Sequence, residues 1–164
     1  LDGNGRIGRL LITLFLYEKK LLTTPLLYLS AYFEQDRQRY YDELYRVSAT
    51  GDFATWLLYF LKGVAEQAQD ALTRVRNVRE LQEKYRQGLL DRRESGNGLR
   101  LLDLIFAQPV VSVSGVAKFL NVTHAGARGV LDRLCDADII EYMEDTWPRI
   151  YWAVDLIMEI NPPG

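Results

Sequence analysis

Apolar residues recur at three- and four-residue steps through most of this 164-residue chain, and that period commits it to helices before any motif is considered. The first expected helix runs from about Arg6 to Lys20, with Leu10, Leu11, Leu14, Phe15 and Leu21 at helical spacing. It stops before Thr24-Pro25, because a residue preceding proline is pushed out of the helical region. Ser30 is the expected N-cap of a second helix, reaching about Ser48, in which Phe33, Arg37, Tyr40, Tyr41, Leu44 and Val47 share a face. Thr50-Gly51-Asp52 breaks that pattern, and Asp52 can cap a third helix carrying Phe53, Trp56, Leu57, Tyr59, Phe60 and Val64 into a core. This last segment is too apolar to stand alone in water.

From about Ala65 to Glu94 charge rises, and Leu72, Val75, Val78, Leu81 and Tyr85 mark one face of a long connecting helix. Glu94-Ser95-Gly96-Asn97-Gly98 reads as its C-cap and turn. The remainder predicts helices over Leu99 to Phe106, Val113 to Leu120 and Thr123 to Ala137, with Asn121-Val122 as a short turn. Ile139 to Met143 and Arg149 to Val154 then alternate like strands around Asp145-Thr146-Trp147-Pro148. That order is the order of a winged helix-turn-helix with a β-hairpin wing. The expected fold class is therefore mainly α.

A DNA-reading module concentrates positive charge on its third helix and wing, since neutralising phosphates supplies much of the affinity. Here Thr123, His124, Arg128 and Arg133 are offset by Asp132, Asp136 and Asp138, and Arg149 is countered by Glu141, Glu144 and Asp145. The charge pattern favours a structural or protein-docking module over a DNA reader. His124 reads as a surface or capping residue, because no cysteine or second histidine accompanies it as a metal ligand.

With 48% hydrophobic and 26% charged residues, the chain has enough apolar material for packed cores in one or two small domains. A net charge of −2 and a pI near 5.5 exert no global pull on nucleic acid. The single cysteine, Cys135, cannot form an internal disulfide, which is compatible with a reducing, cytoplasmic setting. No apolar run reaches the length of a membrane span.

The chemistry is concentrated at the start, in Asp2-Gly3-Asn4-Gly5-Arg6-Ile7-Gly8-Arg9. Glycines flanking an asparagine let backbone amides turn toward an anion, and the following helix presents its unpaired N–H groups and positive dipole end to the same point. Arg6 and Arg9 are three residues apart and share a helical face. Two guanidinium forks beside a nest of amides suit a polyphosphate, and Asp2 can hold the divalent cation such a ligand carries. Gly96-Asn97-Gly98 lacks this context, since no arginine pair follows it.

The ordered set of an acidic residue, GNG, an arginine and a second arginine three positions on resembles the motif of the Fic family, HPFx(D/E)GNGRxxR, at every position the chain contains. Likeness continues to about Gln69 through Pro25 to Ser30, Arg37 to Tyr41, Gly51-Asp52-Phe53 and Trp56 to Leu61, which look like the second half of a bacterial Fic core. Phe53 stands where relatives usually carry tryptophan. The family's motif histidine falls four residues before the acidic position, whereas this chain begins at Leu1 and its one histidine is His124. The resemblance therefore implies that the chain is the C-terminal part of a longer protein and that the general base lies upstream. It divides the chain into part of a Fic domain (1–69), a connecting helix and linker (70–98) and a winged helix-turn-helix domain (99–164).

The implied activity is transfer of AMP from ATP to a serine, threonine or tyrosine hydroxyl of a target protein, with release of pyrophosphate. By the motif, Asp2 would bind Mg2+, Gly3, Asn4 and Gly5 would form the anion hole, Arg6 would hold the outer phosphates and Arg9 the γ-phosphate. Tyr40 and Tyr41 match positions that contact base and ribose in relatives, although one of the two can equally serve the core. A Fic core also needs helices upstream of the motif to cover its apolar faces, so the resemblance implies a covering partner: the N-terminal segment, another chain, or a second copy in a homodimer. Many members carry an inhibitory glutamate in an (S/T)xxxE(G/N) pattern; the nearest spacing here, Ser30 to Glu34, is followed by Gln35, so such a brake would be upstream. Two other readings stay open: a transcription regulator with a vestigial nucleotide-binding half, and phosphocholine or phosphate transfer on the same scaffold.

Overall fold

The computed structural model describes residues 4–22, 29–144 and 146–161. Those residues are mainly helical, with one small antiparallel sheet of three strands. In chain order the elements are α1 (Asn4–Glu18), α2 (Leu29–Gln35), α3 (Arg37–Thr50), α4 (Phe53–Asp91), α5 (Gly96–Ala107), β1 (Val110–Ser112), α6 (Val113–Leu120), α7 (His124–Cys135), β2 (Glu141–Tyr142), β3 (Ile150–Trp152) and α8 (Val154–Ile160). They fall into two compact units, residues 1–73 and 74–164. No described helix is long and apolar enough to cross a membrane.

The first unit is held by an aromatic cluster. Leu29, Tyr32, Phe33 and Tyr59 are buried, with Ile12, Leu16, Tyr40, Trp56, Phe60 and Val64 packed around them. Phe33 sits in the middle, its ring centroid 4.8 Å from Tyr40, 5.8 Å from Tyr59 and 6.2 Å from Trp56, within the range where aromatic pairs attract. Close approach at this core requires Gly63 of α4, since a Cβ there would collide with the Tyr32 ring.

The single helix expected from Ser30 to Ser48 is two helices. Asp36 interrupts it, its carboxylate accepting from the Arg39 amide at 3.0 Å and so capping α3. Ser30 is the second residue of α2 rather than its cap. At the other end of α3, Gly51 takes the left-handed conformation (φ 70°) that glycine adopts without strain. Asp52 caps α4 as expected, accepting from the Thr55 amide at 3.1 Å and from its hydroxyl at 2.6 Å. That hydroxyl contact is the main reason its carboxyl is held below the usual range.

The expected third helix and the connecting helix are one continuous α4. Its later residues Tyr85 and Leu89, with Val78 and Leu81 beside them, belong to the core of the second unit, whereas Leu72 and Val75 are exposed. That core is Leu101, Leu102 and Ile105 of α5, Val116 and Leu120 of α6, and Val130, Leu131 and Leu134 of α7, closed by Ile139, Ile140, Tyr151 and Leu156. Helix α6 fills the expected span: the Ser112 hydroxyl accepts from the Gly115 amide at 3.2 Å, and Asn121 ends it in the left-handed region (φ 55°). Strand β3 is central, with Val111 opposite Tyr151 on the β1 side and Tyr142 opposite Tyr151 on the β2 side. The expected strand to Val154 is shorter, because α8 begins there.

Gly96-Asn97-Gly98 is not the C-cap of the connecting helix but the first turn of α5, with Ser95 at the N-cap position. The preceding helix closes instead at Arg93, which adopts φ 54°. Gly98 is buried, and a Cβ there would collide with the Glu94 side chain, which crosses it to reach Arg133 (Nε to Oε2, 2.9 Å). Burial pushes the Glu94 carboxyl up, but hydrogen bonds from Arg133 and Ser95 outweigh it and hold it below its ordinary value of 4.5. A depressed carboxyl contributes stability above its unfolded value that is lost as pH falls through the folded one. Wild type is therefore expected to lose its thermal-stability advantage over Glu94→Gln as pH is lowered below 4.5, which melts at stepped pH would check.

Candidate phosphate-binding site

Helix α1 starts at Asn4, inside the glycine-rich turn, so the free amides of its first turn fall on the motif itself. Asp2 and Gly3 lie outside the described residues, and the side chains of Asn4 and Arg6 are not among those described. Gly5 and Arg9 are described, and they are one helical turn apart.

Among the described members of the set, Arg9 makes the contacts. Its side chain leans back toward the start of α1, as helical side chains do, and a Cβ built on Gly5 would lie 3.5 Å from its Nη1. Nε donates to the Ser30 hydroxyl at 3.1 Å. Nη2 lies 3.8 Å from Oε1 of Glu34, an exposed carboxylate, and the guanidinium carbon is 5.8 Å from the centre of the Tyr40 ring. Only 14% of the side chain is exposed, so its charge is largely fixed in place rather than free in solvent. The arrangement is a cation with two edges occupied and a third facing the positive end of a helix, which places the favourable ligand at that end as an anion.

The two tyrosines separate. Tyr40 is half-buried and packs into the aromatic cluster against Phe33 and Trp56, whereas Tyr41 is exposed at the edge of Tyr40. Tyr40 thus serves the core and the Arg9 face together. Ser30 and Glu34 were not expected at this site. Their signal was present, since they are one turn apart on a short helix and so share a face, but nothing local in sequence says that the face meets Arg9.

No group of three or more histidine, cysteine, aspartate or glutamate side chains that could hold a metal ion occurs among the described residues. Exposed apolar side chains are abundant in the first unit: Ile7, Leu10, Leu11 and Phe15 on α1, and Phe53, Leu57, Leu58 and Leu61 on α4.

In the second unit, the side chains at the start of α7 and on the hairpin surround a cleft of about 790 Å³ lined by Val113, His124, Arg128, Tyr142, Trp147 and Arg149. Two of the four polar residues expected to face a ligand from α7 are already engaged. The Thr123 hydroxyl accepts from the Gly126 amide at 3.1 Å, and Arg133 holds Glu94. Arg149 lies over the Tyr142 ring, 4.6 Å from its centre. No known protein-family model matches the chain.

Proposed function

We propose that this chain carries the polyphosphate-binding half of a Fic-type protein adenylyltransferase, followed by a winged helix-turn-helix module that docks protein. The observation that carries the reading is Arg9, folded back beside Gly5 with its guanidinium at the start of α1. A half-buried arginine, a glycine turn and a helix N-terminus are the components of a phosphate clamp.

On this reading Arg6 and Arg9 hold the outer phosphates, the amides of Gly3, Asn4 and Gly5 surround a non-bridging oxygen, and exposed Tyr41 lies toward the nucleoside. The target hydroxyl attacks the α-phosphorus; a P–O bond to AMP forms, the bond to the β-phosphate oxygen breaks, and pyrophosphate departs. The hydroxyl proton would pass to the general base of the family's motif, which is not among these 164 residues. Mg2+ fits a site with a single carboxylate, since it is commonly held by one or two carboxylates and the substrate's own phosphates; Asp2 would be that ligand, and the ion would neutralise phosphate charge. Such chemistry asks mainly for positioning and charge neutralisation, which is what amides and arginines supply.

Exposed apolar residues on α1 and α4 support a covering polypeptide, either the upstream segment or another chain. Engagement of Thr123 and Arg133 within the fold supports protein docking over DNA binding for the second unit.

The test is incubation of the intact protein with magnesium and ATP labelled at the α- or the γ-phosphate. Label from the α position alone, appearing on protein, is the expected result. Transfer from the γ position, or no transfer at all, overturns the adenylyltransferase reading.

A further inference from the structure

An arginine side chain left to itself has more freedom than the task proposed for Arg9 tolerates. A clamp on a terminal phosphate needs the guanidinium plane fixed, because a fork that rotates about its last bonds presents its N–H pairs to the ligand only part of the time. What fixes it comes from α2. The Ser30 hydroxyl accepts from Nε, the one guanidinium nitrogen whose hydrogen direction is set by the side-chain stem itself. With Nε committed, the plane of the fork is determined, Tyr40 covers one side of it, and Nη1 is directed beside Gly5 at the start of α1.

Glu34 does not do the same work. Its carboxylate is more than half exposed and its nearest oxygen is 3.8 Å from Nη2, an attraction that solvent screens and that sets no plane. The tight, half-buried contact is the one to Ser30, and it joins residues 21 apart in sequence.

We infer that Ser30 is a positioning residue, acting through Arg9 to orient the site toward the terminal phosphate of a nucleoside triphosphate. The inference rests on the nucleotide-binding reading of α1. It makes a distinction that a purely structural role for Ser30 does not: loss of the hydroxyl should weaken ligands that possess the phosphate Arg9 meets and leave those that lack it.

Binding of ATP and of ADP, each with magnesium, measured by calorimetry on the intact protein as wild type, Ser30→Ala and Ser30→Thr, decides it. Ser30→Ala is expected to weaken ATP about five- to tenfold while leaving ADP within about twofold, since a hydrogen bond to a charged group is being removed from one ligand's binding site. Ser30→Thr keeps the hydroxyl and should restore ATP binding. Equal weakening of both nucleotides by Ser30→Ala, or no weakening of either, overturns the assignment while the nucleotide reading stands. An intact wild-type protein that binds neither nucleotide overturns both. If Ser30→Ala does not fold, Ser30→Cys carries the same expectation, because a thiol is nearly isosteric and only a weak acceptor.

Discussion

On the proposed adenylyltransferase reading, replacing Arg6 with alanine is expected to lower adenylyl transfer by the intact protein ~100-fold or more, with a smaller effect on ATP binding. The fork of Arg6 would meet outer phosphates on which charge accumulates as pyrophosphate departs, so its contribution is larger in the transition state than in the bound substrate. Removing a single preorganised donor from comparable sites costs about 10²–10³ in turnover. Steady-state rates at saturating ATP separate the two effects. A loss below about tenfold, or a loss confined to KM, would contradict the assigned role. Arg6→Lys should recover only part of the rate, because an ammonium supplies charge without the planar fork.

Leu131→Ala should be among the most damaging leucine truncations in the second unit. Leu131 has no exposed surface and lies on α7, where α5 and α6 both pack, so truncation leaves a cavity that three helices would have to move to fill. Deletions of this kind cost about 2–5 kcal/mol, depending on how far the site can collapse. For a domain of this size each kcal/mol lowers Tm by about 4–8 °C, so a fall of roughly 10 °C or more is expected in a thermal melt. A shift under about 3 °C would mean that this position is not part of a packed core. Leu131→Met, which nearly conserves volume, should lose far less.

The second unit was largely legible in sequence because its signals are local. Helix α6 announces both ends, with Ser112 before it and Asn121 after it, and α7 has Thr123 at its cap. Strand β1 escaped notice because three residues are too few to show alternation, and Tyr151 on β3 pairs it from across the sheet. Helix α8 was hidden in an apolar run that suits a strand as well as a helix, a choice decided by packing of Leu156 into the core. In the first unit the misjudged break at Asp36 was a matter of one side chain preferring a cap to a helix interior.

The proposed phosphate site divides along the same line. Its glycines and arginines stand next to one another, and the amide turn and shared face follow from spacing alone. The surroundings that decide what Arg9 can do come from a different helix, and no periodicity reports a hydrogen bond between residues 21 positions apart. Tyr40 and Tyr41 make the same point at closer range, since adjacent aromatic residues look alike in sequence until the core claims one of them.

The clasp between Glu94 and Arg133 also fixes how the second unit would respond to a polyanion. A duplex laid against α7 and the hairpin would find Arg128 and Arg149 beside the cleft together with the carboxylate Glu144, while Arg133 is already neutralised from within. Each phosphate neutralised by a protein cation releases close to one condensed counterion, and the logarithm of affinity falls by about 0.9 per phosphate for each decade of salt. Two arginines on this face correspond to a slope near −2 for any duplex bound there, which binding measured across a range of salt would check.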